Sequence, residues 1–180
     1  MHKSRQSRTR GVVVVGVDGS SGANEALRWA AAEARLRRTR LRVVLVTTSG
    51  FFSATGAGYG YPYIDASVDT LPGAGFHGLR QAGEELLVHL IADVEADGEG
   101  LEIEREVVEG APVDVLVHAV APGDLLVVGS RGHGGFAGLL LGSVSQQCAH
   151  RAPCPVVIVH PAKSLDDSNN GQETMNDSAP

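Results

Sequence analysis

Between Val128 and Val144 the sequence reads V-G-S-R-G-H-G-G-F-A-G-L-L-L-G-S-V, with six glycines in the fourteen residues from Gly129 to Gly142. Gly129, Gly132 and Gly142 stand in the spacing G-x2-G-x9-G, and Ser143 follows directly. Residues without a β-carbon let a ligand come close to the main chain, and they allow successive amides to turn inward around an anion. Gly142-Ser143 then opens a segment of helical character, whose first amides and dipole favour negative charge. Ser143 adds a hydroxyl that can cap the helix, bind a phosphate oxygen or help hold a metal. Together these residues describe a phosphate cradle made of backbone, although a tight turn is the plainer use of such glycines. Arg131 and His133, inside the stretch, either reach phosphate oxygens or stay in solvent.

Other phosphate motifs fit less well. A P-loop needs Gly-Lys-Ser/Thr, and no lysine lies between Lys3 and Lys163. The dinucleotide fingerprint follows the first strand of its unit, with an acid about twenty residues on. Here the glycines follow a later apolar run, and no acid is found at that distance. No side chain near the cradle is an evident general base, which argues against vigorous phosphoryl transfer. Cys148, His150 and Cys154 match no zinc spacing. His89 and His118 fall in helical patterns as packing or surface residues.

The elements that must hold this cradle follow from periodicity. Residues 12–17, V-V-V-V-G-V, form a β-branched run that suits a strand buried on both faces. The turn Asp18-Gly19-Ser20-Ser21 follows, with Ser20 or Ser21 as the helix N-cap. In the helix after it, Leu27, Ala30, Ala31 and Ala34 fall on one face, small enough to lie close on a sheet. L-R-V-V-L-V-T (41–47) is a second strand. Residues 49–76 are rich in Gly, Pro and Tyr, and they either cover a ligand or partner or form a plain insertion. An amphipathic helix (78–97) carries Leu86, Leu87, Leu90, Ile91 and Val94 on one stripe. The alternating segment 101–110 reads as an edge strand. A helix opened by Pro112, a strand at 124–129, a helix at 143–151 and a strand at 154–159 complete the pattern.

Such alternation predicts an α/β fold, a single open parallel five-stranded sheet with helices on both faces and right-handed crossovers. Ligands of these sheets bind beyond the carboxyl ends of the strands, where strand order reverses. Strands one and four meet there, bringing the loop V-D-G-S-S-G to the glycine-rich stretch. Asp18 offers a carboxylate for hydroxyl or amine donors, or else caps the first helix.

A chain of 180 residues, 43% apolar and 20% charged, suits one soluble domain. That domain is expected over 11–161, between a basic tail (1–10) and a polar tail (162–180), both disordered. Aromatic content of 4% and a net charge of −6 argue against a nucleic-acid platform. The charge is uneven: Arg28 to Arg42 holds six arginines, whereas Glu84 to Glu109 holds ten acids against one arginine. No apolar run is long enough to span a membrane, and no secretory signal is recognisable. Two cysteines make no disulfide framework, so a cytoplasmic protein with reduced thiols is expected.

The glycine spacing, the opening V-V-V-V-G-V-D-G-S-S-G-A-N-E-A-L-R-W-A and the closing H-R-A-P-C-P-V-V-I-V together resemble the universal stress protein family over residues 11–160. In that family G-x2-G-x9-G-(S/T) is the ATP-binding signature. The resemblance implies a Rossmann-like sheet of the adenine nucleotide alpha hydrolase type, in the order 3-2-1-4-5. It implies a site for ATP with Mg²⁺, in which Asp18 sits near ribose or adenine and Gly16 lines the same pocket. The Val46 backbone would meet adenine, Val128 and Gly129 would border the ribose, and Gly132, Gly142, Ser143 and Val144 would contact the phosphates. It also implies a homodimer through strand 155–160 and a stress-response signalling module with at most slow hydrolysis or autophosphorylation. The alternatives are a genuine ATPase or kinase-like enzyme, and a nucleotide-free interaction protein. Family members of the last kind usually lack the glycine motif.

Overall fold

Among the described residues, five short strands alternate with four helices: β1 (Val13–Val17), α1 (Ser21–Arg37), β2 (Leu41–Thr47), α2 (Gly75–Ala96), β3 (Ile103–Glu109), α3 (Pro112–His118), β4 (Leu125–Gly129), α4 (Ser143–Arg151) and β5 (Val156–Val159). They come from a computed structural model that describes residues 11–47, 75–96, 100–132 and 140–161. The tails, most of the 49–76 segment and residues 133–139 lie outside the described residues. The strands form one parallel sheet in the order β3-β2-β1-β4-β5, as expected.

β1 lies at the centre, and Val13, Val14 and Val15 are almost fully buried, which a run of β-branched residues without polar alternation allows. Its odd-numbered residues pack with α1 and α2, through Ala26, Ala30, Ala34, Leu87 and Ile91. The even-numbered ones join a second cluster with Val113 and Leu116 of α3 and Cys148 of α4. The sheet is thus covered on both faces.

The caps of α1 explain its limits. Ser20, in extended conformation, accepts from the Ala23 amide at 3.2 Å, so the helix starts at Ser21. It ends on Arg38, whose amide reaches back to Ala34 and Arg35 from φ 53, ψ 50. That left-handed conformation costs a non-glycine residue about 1 kcal/mol.

The two sheet edges differ in kind. Glu104 on β3 stands opposite Arg42 of β2 and takes its Nε at 2.9 Å, with Arg40 ion-paired to the same carboxylate. The β5 edge is V-V-I-V, half-buried and uncharged.

A candidate nucleotide site at the carboxyl ends of β1 and β4

β1 and β4 pair through Val15 and Val127 and then diverge, because α1 follows β1 on one face while the glycine-rich loop follows β4. Asp18 stands in that opening. Its Oδ1 accepts from the Ser20 amide at 2.9 Å and from the Ser20 hydroxyl at 2.6 Å. The acid is therefore not the helix cap itself. It holds Ser20, which is.

The other carboxylate oxygen of Asp18 faces Gly132 so closely that a β-carbon on residue 132 would overlap it. A second approach lies beside the first. A β-carbon on Gly22, in the first turn of α1, would stand 2.6 Å from the Arg131 carbonyl oxygen, and one on Gly129 would stand 2.8 Å from the Gly22 carbonyl carbon. Here the absence of side chains lets two stretches of backbone touch. Residues 18 and 129–132 are thus brought together, with Gly22 as the residue that sequence reasoning overlooked. A glycine inside an otherwise helical pattern was the signal for a close approach.

The loop returns to the same place. The Gly142 amide donates to the Ser130 carbonyl at 2.7 Å, and Ser145 Oγ lies 3.0 Å from that carbonyl and 2.9 Å from the Gly142 carbonyl. The Ser130 amide donates to Val159 of β5 at 2.7 Å. Ser130 itself is fully buried, and its hydroxyl has no partner among the described residues.

At α4 the structure bears on one of the three uses left open for Ser143. Gly142, not Ser143, is the N-cap, and Ser143 is the first helical residue with an exposed side chain. Gly142 needs no unusual backbone either, since its φ is −76 and a β-carbon there would meet Ser130 at an ordinary 3.4 Å. What glycine supplies at 142 is a cap without a side chain, so the first amides of α4 receive no bond from a cap side chain among the described residues. These are donors that an anion can take.

The remaining predicted residues lie on the α3–α4 face. Val46 and Val128 are buried there and Val144 packs against them, so Val46 and Val128 can meet a ligand chiefly by backbone. A β-carbon on Gly16 would stand 2.8 Å from Leu116 Cδ1, which provides a packing reason for that glycine. Arg131 is exposed, whereas His133 lies outside the described residues. Burial pushes the thiols of Cys148 and Cys154 up, which keeps them protonated. No group of three metal-binding side chains occurs among the described residues.

The arrangement fits an adenine nucleotide. Its close-packed glycine backbone and open α4 amides suit phosphate, and the carboxylate nearby suits sugar or base donors. The model of the universal stress protein family matches residues 9–160. The chain belongs to that family.

A universal stress protein of Mycolicibacterium smegmatis is 31% identical over 155 residues, 86% of this chain and 50% of the relative. The chain thus spans about half the length of the curated relatives it matches. Among solved structures, a universal stress protein in complex with cAMP superimposes with a TM-score of 0.58 at 28% identity, over 85% of this chain and 98% of the other. UspA from Lactobacillus plantarum superimposes with a TM-score of 0.63 at 19% identity, over 83% and 97%, a likeness of fold. No helix among the described residues of this universal stress protein is long and apolar enough to cross a membrane.

Proposed function

We propose that this universal stress protein holds ATP with Mg²⁺ where β1 and β4 diverge, and acts as a cytoplasmic stress-response signalling module with at most slow hydrolysis or autophosphorylation. The observation that carries the reading is the contact of the Gly132 backbone with the Asp18 carboxylate, which puts an acid and an anion-binding backbone side by side. The cAMP-bound relative at 28% identity supports an adenine nucleotide as the ligand class. In this reading Gly132, Gly142, Ser143 and Val144 hold phosphate, Val128 and Gly129 border the ribose, and Gly16, Asp18 and Val46 line the nucleoside end. The Ser143 hydroxyl, at the phosphate end, is an oxygen donor of the kind that Mg²⁺ takes. The metal would neutralise phosphate charge.

The test has two steps. Native mass spectrometry of the purified chain looks for a retained adenine nucleotide. ATP with Mg²⁺ at millimolar concentration should then raise the melting temperature, since a ligand that binds only the folded state stabilises it by mass action. An unchanged melting temperature overturns the reading.

The homodimer belongs to the same proposal. The carbonyls of Pro155 and Val159 accept from the amides of Leu126 in β4 and of Ser130 just after it, so by strand alternation the backbone groups of Val156 and Ile158 face outward. An uncharged edge with open donors and acceptors suits a second copy of this chain.

A further inference from the structure

α3 lies over β1 and β2, where Val113 and Leu116 pack with Val14 and Val44. Beside it, along the same face of the edge strand β3, runs a groove of about 490 Å³. Val108, Val115 and Ala119, each half-buried, give the groove its apolar wall. Four charged or titratable side chains also stand among its described lining residues: Arg42, Glu106, Asp114 and His118.

Two of these four are answered by another side chain. Arg42 Nε donates to Glu104 at 2.9 Å, and Arg151 Nη2 donates to Asp114 at 2.6 Å. The other two are not. Glu106 is the next residue on that face after Glu104, but it stands opposite Val44 where Glu104 stands opposite Arg42. Its carboxylate is exposed and has no partner among the described residues. His118 Nδ1 lies 2.7 Å from the Asp114 carbonyl, which can only accept, so Nδ1 carries the proton. In the neutral ring Nε2 is then left as an acceptor.

We propose that this groove binds a small organic ammonium ion with an apolar body, its N–H groups taken by the Glu106 carboxylate and His118 Nε2. An ammonium group has three donors and no acceptor, which suits two acceptors that nothing else satisfies. A volume of about 490 Å³ with an apolar wall is that of a small-molecule site. No group of three metal-binding side chains occurs among the described residues, so an organic cation suits the pair better than a metal ion. The groove needs no nucleotide to act.

The test is a residue-resolved NMR titration of the full chain, without nucleotide, using three indoles that differ at one end. Tryptamine is a cation, tryptophol is neutral and indole-3-acetate is an anion. Amides of Arg42, Glu106, His118 and Ala119 should shift with tryptamine, which should bind roughly fivefold more tightly than tryptophol. Indole-3-acetate should bind weakest. Val108 pairs with Val46 in the sheet, so neither serves to tell this groove from the nucleotide site. Glu106→Gln removes only a charge, so its melting temperature should stay native while tryptamine affinity falls to that of tryptophol. His118→Phe keeps a ring without the acceptor and should weaken tryptamine as well. Absence of tryptamine shifts at these amides, or unaltered affinity in Glu106→Gln, overturns the proposal. Equal binding of tryptophol would mean an apolar groove alone, and tighter binding of indole-3-acetate would mean an anion on Arg42; either overturns it too. ATP shifts at Gly129–Gly132 and Gly142–Ser145, present or absent, bear only on the nucleotide reading.

Discussion

Asp18 turns one carboxylate oxygen to Ser20 and the other into the space that a β-carbon on residue 132 would fill. A single side chain thus joins the cap of α1 to the glycine loop after β4. Any change at residue 132 is felt at the start of α1, more than a hundred residues earlier in the chain.

Gly132→Ala should push Asp18 away from Ser20, destabilising the fold by about 1–2 kcal/mol and weakening ATP binding at least tenfold. Asp18→Asn separates the two effects. The amide oxygen still accepts from Ser20, so the melting temperature should change little while affinity falls. Calorimetric titration beside thermal unfolding reads both; native affinity in Asp18→Asn would remove this residue from the site.

Gly22 and Gly142 should respond in opposite ways. Gly22→Ala places a methyl 2.6 Å from a backbone carbonyl that cannot swing aside, and should cost about 2 kcal/mol in urea unfolding despite the better helix propensity of alanine. Gly142→Asp installs a strong N-cap where there is room, so stability should hold or rise. The new carboxylate would occupy the α4 amides, and ATP should bind at least tenfold more weakly.

Glu104 predicts a pH dependence. The hydrogen bond from Arg42, aided by the charge of Arg40, holds its carboxyl below the usual value of 4.5 despite the opposing effect of burial. A lowered folded value means that the stabilisation is present above the unfolded value and is lost as pH falls through the folded one. The side chain is 33% exposed, so solvent screening limits the effect to roughly 0.5 kcal/mol. Glu104→Gln should be slightly less stable than the native chain at neutral pH, and the difference should close below the ordinary glutamate range. Denaturant curves across that range would show it.

Ile158→Pro tests the β5 edge. It removes an outward-facing amide while sparing the bonds of Val157 and Val159 to β4. Light scattering of the native chain at micromolar concentration should give twice 18.7 kDa, and the variant should give a single chain. A native mass of one chain would refute dimerisation and leave the nucleotide proposal standing.

Much of the fold was legible because it rests on local patterns. The valine-rich run of β1, the alanine face of α1 and the acidic alternation of β3 each record how many faces of an element are buried. Ser20 is among the caps that the sequence offers, whereas the edge position of the uncharged β5 follows from the strand order that the family resemblance implies. The glycine spacing marked the right loop, yet it could not rank its own glycines. Gly132 is needed because a carboxylate from β1 stands against it, Gly129 because α1 does, and Gly142 only as a bare cap. The sequence alone therefore determined the order of elements and the stretch of backbone offered to an anion. The tertiary structure decided which missing β-carbons matter, since that depends on how closely segments distant in the chain approach, and no local pattern encodes that distance.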